Sequence, residues 1–182
     1  MRPDKVEVRK EMRARRKSVP PDVRARAASI VCAKVSAGVR SGVCAVYLAS
    51  ADEIDLSAAI RDLLLRGVTV VAPRWNGGTY ELAKLKGLEE GDLRKGPMGI
   101  LEPREADLVR PRDVTVWLVP GLAFTRDGGR IGYGGGWYDR LMAAADGAAR
   151  RLGIAYGFQI VAALPSEPHD VRLTAVIDDS QA

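Results

Sequence analysis

The sequence predicts a three-layer α/β architecture on a mainly parallel sheet, and three observations predict it. Runs such as Val43-Cys44-Ala45-Val46-Tyr47-Leu48 are apolar at both alternating positions, as strands covered on both faces are. A strand, a helix and a second strand follow one another between residues 43 and 72, a βαβ unit whose strands lie parallel. The Pro- and Gly-rich stretches are short and no internal repeat appears, so one domain over residues 1–182 is expected.

Each element has its own signal. Lys5–Lys17 reads as a short helix with mostly solvated faces, stopped by Pro20-Pro21. Asp22–Val39 carries Val23, Ala27, Ile30, Val31 and Val35 at helical spacing and ends near Gly38. Val43–Leu48 is the first strand. Asp55 caps a helix through Leu56, Ile60, Leu63 and Leu64, and Gly67 closes it before the strand Val68–Ala72. A third strand runs Val114–Val119, and a helix spans about Gly136 to Ala145. Gly153–Tyr156 resumes extended character, and Val171–Ile177 is the last strand.

Composition narrows the function classes. At 47% apolar and 28% charged the chain is neither disordered, collagenous nor a disulfide scaffold. Its apolar runs are too short to span a bilayer, and Met1–Lys5 leads into alternating charges without an apolar leader. A cytoplasmic protein with no membrane partner is expected. Cys32 and Cys44 each sit in an apolar segment and read as buried, reduced thiols. The net charge of +5 belongs to one segment, because residues 1–26 hold ten Lys/Arg against four Asp/Glu. Those cations could meet nucleic acid, a membrane surface, the phosphates of a small ligand, or only solvent. No aromatic is interleaved and no nucleic-acid-binding signature follows, so no nucleic-acid partner is expected.

The chemistry concentrates between residues 119 and 140. Six of the nine residues from 128 to 136 are glycine, a density that implies backbone at positive φ or close to a ligand. The loop runs from a strand into a helix, a context in which backbone N–H groups face an anion. It is neither a Walker A loop, lacking Gly-Lys-Ser/Thr, nor the dinucleotide fingerprint, since Trp137 stands where a third glycine belongs. A phosphate cradle and a mobile surface loop both remain open on the glycines alone. Arg130 could clamp phosphate oxygens and Asp139 could hold Mg²⁺, which favours the cradle. Asp170, in the proline-stiffened Leu164–Asp170 loop, is a second candidate carboxylate or a turn cap. Glu53 lies just past a strand end, where open α/β sheets bind ligands, or is a solvated loop charge. His169 is the only histidine, so a multi-histidine zinc site is excluded, and no nucleophile elbow is present.

At these residues the chain resembles the 5-formyltetrahydrofolate cyclo-ligase family, also called 5,10-methenyltetrahydrofolate synthetases. Pro120-Gly121-Leu122-Ala123-Phe124 with Arg130-Ile131-Gly132-Tyr133-Gly134-Gly135-Gly136-Trp137-Tyr138-Asp139-Arg140 is similar to the family's P-G-L-A-F-D and R-L-G-Y-G-G-G-Y-Y-D-R. Lys5 with Arg9, Tyr47-Leu48 with Glu53-Ile54-Asp55, Pro73-Arg74, Gly96–Pro103, Gly153–Gln159 and Leu164–Asp170 follow in the family's order. Thr125, Ile131 and Trp137 depart from the pattern, and none of these changes removes a phosphate or metal group.

The resemblance implies a three-layer α/β/α sandwich similar to the sugar-phosphate isomerase and CoA-transferase group. It implies ATP- and Mg²⁺-dependent closure of 5-formyltetrahydrofolate to 5,10-methenyltetrahydrofolate, with ADP and phosphate released through a phosphorylated formyl intermediate. On that reading Lys5, Arg9, Arg130, Ile131 and the loop from Gly132 through Tyr133, Gly134, Gly135 and Gly136 to Trp137 and Tyr138 take ATP. Arg130 and Tyr138 are the catalytic candidates, and Asp139 and Asp170 hold Mg²⁺. Leu48, Glu53, Tyr133, Gly134, Gly135, Gly136 and Trp137 meet the folate. A monomer is expected, with a dimer left open. A basic nucleic-acid-binding protein would leave the glycine loop idle, and a sugar-phosphate isomerase would need a general base that no residue advertises.

Overall fold

The computed structural model describes residues 4–165, 167 and 170–180, so His169 lies outside the described residues. The chain opens with two helices, α1 (Lys5–Lys17) and α2 (Pro21–Gly38), and then builds β1 (Val43–Ala45), α3 (Ser57–Leu65), β2 (Thr69–Trp75) and β3 (Tyr80–Lys84). A hairpin of β4 (Leu93–Lys95) and β5 (Leu101–Pro103) precedes β6 (Leu108–Val109) and β7 (Val116–Val119). A second small hairpin, β8 (Ala123–Phe124) and β9 (Arg130–Ile131), leads into α4 (Trp137–Ala143), and β10 (Arg150–Ala155) and β11 (Ala175–Asp178) finish the fold.

Seven strands form one sheet in the order β11-β10-β7-β1-β2-β3-β6. The pairings from β11 through β2 are parallel, and β3 and β6 add an antiparallel edge. Cys44 stands opposite Val70 on one side and Val116 on the other. Alternation then divides the core. Cys44, Val70, Val116 and Ile154 pack with Val31, Val35, Ile60 and Leu63 of α2 and α3. Their neighbours Ala45, Val71, Trp117 and Ala155 pack with Leu141 and Met142 of α4 on the opposite face. Helices on both faces of a mainly parallel sheet make the expected three layers.

The helices form where the sequence carries their signals. In α2, Ala27, Val31 and Val35 recur every fourth residue and are all buried, and Pro21 occupies the first turn, where its missing N–H costs nothing. The α3 cap sits at Leu56, and Asp55 acts from one residue earlier by accepting from the Ser57 N–H at 2.9 Å. Both cysteines are free and buried, and burial pushes the Cys44 thiol up to about 12.

Four expectations need correction. The Val43–Leu48 run pairs as a strand only through Ala45, although the Val46 N–H still donates to Val71 O at 2.8 Å before the chain turns away. The last strand begins at Ala175, because Val171–Thr174 forms the approach to it. The antiparallel strands β3 and β6 lie at the edge and were not expected. Most important for function, α1 is not a solvated helix: it buries Val8, Met12 and Arg16, and the first two pack with Leu122, Ala123 and Ile131. Among the described residues no helix is long and apolar enough to cross a membrane.

Candidate active site

A cleft of about 730 Å³ opens where β1 and β7 end at their carboxyl edges, the position at which open α/β sheets bind ligands. Helix α1, the 132–136 loop, the start of α4 and the β4–β5 hairpin close its sides. Every candidate residue from the sequence lines it: Lys5, Arg9, Leu48, Glu53, the segment 130–139 and Asp170. They do not present themselves equally. Ile131 is 1% exposed and belongs to the small core beneath α1, so it offers the cleft little beyond backbone.

The glycine loop is polarised. Its carbonyls are held by arginines: Arg9 Nε donates to Gly132 O at 3.0 Å, Arg13 to Tyr133 O at 3.2 Å and Arg140 to Gly135 O at 2.8 Å. The Gly136 carbonyl accepts from the Arg140 N–H as α4 begins. By contrast, among the described residues the N–H groups from Gly132 to Trp137 donate to no protein acceptor. A run of peptide donors lining a cleft, with the carbonyls pinned elsewhere, is a nest for an anion. Gly134, at φ +107°, supplies the backbone shape that a side chain would strain.

Cations and carboxylates around the loop are already paired. Lys5 Nζ lies 2.8 Å from both Glu167 and Asp170. Burial disfavours its charge, yet the hydrogen bonds and charges of those two carboxylates leave its pKa raised. Arg130 is almost fully buried. Its Nη2 donates to both oxygens of Asp139 at 2.9 and 2.8 Å and its Nη1 to Pro120 O, while the buried Nε has no partner among the described residues. Arg130 therefore holds Asp139 in place, and a phosphate clamp by this side chain would require that pair to open.

Trp137 begins α4 against Trp75 and Tyr80, with ring centroids 5.4 and 5.3 Å away, and the Arg140 guanidinium stacks 4.1 Å over its ring. Burial, then the charge of Glu53, raises the pKa of both Tyr133 and Tyr138 well beyond the neutral range, so both phenols are neutral donors there. The hairpin wall is set by Glu102, which is buried, accepts from the Trp75 N–H at 3.0 Å and pairs with Arg94 at 2.5 Å.

The sequence reading missed Arg13, Arg16 and Asp52. Arg16 is 3% exposed and donates to Asp52 Oδ2 through Nε at 3.1 Å and Nη2 at 2.8 Å. A signal existed: positions 9, 13 and 16 share one helical face.

Among the described residues no group of three or more His, Cys, Asp or Glu side chains converges as a metal cage. Asp139 and Asp170 both line the cleft, paired with Arg130 and Lys5, and are the carboxylates that could hold a hard cation taking its other oxygens from phosphate and water.

Residues 1–179 match the sequence model of the 5-formyltetrahydrofolate cyclo-ligase family. The chain belongs to that family. The 5-formyltetrahydrofolate cyclo-ligase of Mycolicibacterium smegmatis is 32% identical over 188 residues, covering 95% of this chain and 92% of the relative. The mouse cyclo-ligase is 26% identical over 190 residues, covering 96% and 94%. A solved 5,10-methenyltetrahydrofolate synthetase from Aquifex aeolicus superposes with a TM-score of 0.84 at 28% identity, covering 97% of this chain and 90% of that one. As a member of the cyclo-ligase family, the chain is an enzyme whose family motif and cleft coincide.

Proposed function

We propose that this cyclo-ligase closes 5-formyltetrahydrofolate to 5,10-methenyltetrahydrofolate at the expense of ATP. The observation that carries the reading is the row of N–H groups from Gly132 to Trp137 that find no acceptor among the described residues, in a loop that lines the cleft with Lys5 and Arg9. A triphosphate is the ligand that such donors and cations fit. The folate would lie toward Leu48, Glu53 and the aromatic wall at Trp137, with Tyr133 and the glycines 134–136 between the two substrates.

A formamide oxygen leaves poorly as hydroxide and well as phosphate. The formyl oxygen attacks the γ-phosphorus and ADP departs. N10 then adds to the formyl carbon, loses its proton, and the C–O bond breaks to release phosphate. For such phosphoryl transfer the protein supplies position and charge. Lys5 and Arg9 would carry the phosphate charge, and the loop N–H groups would bind the equatorial oxygens. Asp139 and Asp170 would hold Mg²⁺, which when bound neutralises phosphate oxygens. Arg130 fixes the Asp139 carboxylate, and Tyr138 would serve as a neutral hydrogen-bond donor to an oxygen that gains charge. The protein is read as cytoplasmic, acting on two small molecules.

The experiment is an absorbance assay for the methenyl product with ATP and Mg²⁺ supplied together and singly. Product only in the complete mixture, with one ADP per turnover, is expected. Equal product without nucleotide would overturn the reading.

A further inference from the structure

Five side chains form a ring of polar contacts across the cleft, in which the single Ser50 hydroxyl proton serves either Glu53 or Asp52. Arg16 donates to Asp52 through Nε and Nη2 and, through Nη1, to the Tyr133 hydroxyl at 2.5 Å. Tyr133 in turn donates its hydroxyl to Glu53 Oε1. The other Glu53 oxygen accepts from the Ser50 N–H and hydroxyl, both at 2.8 Å, and the same hydroxyl lies 3.2 Å from Asp52. The ring ties together α1, the loop after β1 and the glycine loop.

Two features give the ring a purpose beyond stability. Tyr133 is the one residue with a side chain between Gly132 and Gly136, so its hydroxyl is the one polar side-chain group that this stretch itself carries. The same hydroxyl holds Glu53. A phenol can accept one bond and donate one, which makes the connection directional. Arg16 is suited to its place because a planar guanidinium holds its donors in a rigid fork, whereas an ammonium is a compact point charge on a flexible stem. Burying that charge is costly unless every arm is engaged.

We propose that Arg16, held by Asp52, is a positioning residue that couples the two substrate sites. It fixes Tyr133 so that the nucleotide-side loop and the folate-side carboxylate adopt their binding arrangement together. Each substrate then binds more tightly when the other is present, and by reciprocity both gain the same factor. The inference rests on the assignment of ATP to the loop and folate to Glu53.

The test is calorimetric titration of a non-hydrolysable ATP analogue with Mg²⁺, in the presence and absence of saturating 5-formyltetrahydrofolate. In the unaltered protein, the folate should tighten the analogue by about fivefold or more. Arg16→Lys keeps the charge but loses the fork, and the ratio of the two affinities should fall below about twofold. Tyr133→Phe removes one hydroxyl from a partly exposed side chain and should collapse the ratio in the same way, even if the Arg16 variant fails to fold. A ratio preserved in a folded variant, or a ratio near one in the unaltered protein, overturns the coupling while leaving the substrate assignment intact. If neither ligand binds the unaltered protein, the site assignment falls and the coupling falls with it.

Discussion

Lys5 Nζ lies 2.8 Å from Asp170 Oδ2 although the two residues are 165 positions apart. The ion pair pins the first turn of α1 to the loop that approaches β11. On the proposed reading it also sets a cation that would meet phosphate beside a carboxylate that would hold Mg²⁺.

Asp139→Asn and Asp170→Asn keep the shape of each side chain and remove its charge. If both hold Mg²⁺ against phosphate, each should lower kcat by about 10²-fold or more. The double variant should cost less than the product of the two, because two ligands of one ion are coupled. Their natural partners differ, Arg130 for one and Lys5 for the other. Purely structural roles would therefore add, and steady-state kinetics across a Mg²⁺ titration separates the outcomes.

Removing α1 is a blunter test of phosphate binding than its charge suggests. Deleting residues 1–9 takes away Val8, which is buried, and the Asp4 cap with its Glu7 partner. About 1.5–3 kcal/mol of apolar burial goes with Val8. Lys5→Ala is the cleaner variant: the KM for ATP should rise while the thermal midpoint drops less than in the truncation. Calorimetry beside kinetics checks both.

Asp52 gives a pH signature. Burial alone would raise its pKa, but the Arg16 hydrogen bonds and charge leave it below the ordinary 3.8. A carboxylate depressed on folding contributes stability above its unfolded value, and loses it as pH falls through the lower folded value. Denaturant titrations from neutral pH to below 3.8 should therefore show a fall in stability that Asp52→Asn lessens. An unchanged slope would detach Asp52 from Arg16.

Two glycines should separate folding from function. A Cβ at Gly128 would sit 2.3 Å from the Leu173 carbonyl oxygen, and φ there is +94°. Gly128→Ala should lower the thermal midpoint by about 4–8 °C, corresponding to about 2 kcal/mol. Gly134→Ala makes only ordinary contact, with Arg9 3.8 Å away, and strains the backbone of the exposed loop. Its effect should appear in the KM for ATP and hardly in the melting curve.

How far the sequence could be read depends on how local each signal was. The glycine run from 128 to 136 was legible because such a density has few uses, and the α2 face because Ala27, Val31 and Val35 repeat in register. The antiparallel strand Tyr80–Lys84 was not, since its alternation is interrupted, although its partner β2 immediately precedes it across the turn at 76–79. Arg16 was illegible for a different reason. A charge on a helix reads as solvated until its partners are known, and Asp52 and Tyr133 stand 36 and 117 positions away. Asp139 was picked out as a metal ligand, but its pairing with Arg130 emerges only once the β9–α4 turn is folded.

The same distances bear on how the enzyme is made. Helix α1 leaves the ribosome before its glycine-loop partner Gly132, which lies 123 residues downstream of Arg9. At about 5–20 residues per second, that partner follows roughly 6–25 s later. A 13-residue helix is marginal on its own in that interval. Its arginines keep it hydrated while Val8 and Met12 have nothing to cover them. The cleft therefore gains its cationic wall only after the glycine loop has emerged, and nascent chains that have already folded their β1–β2 core would still lack it.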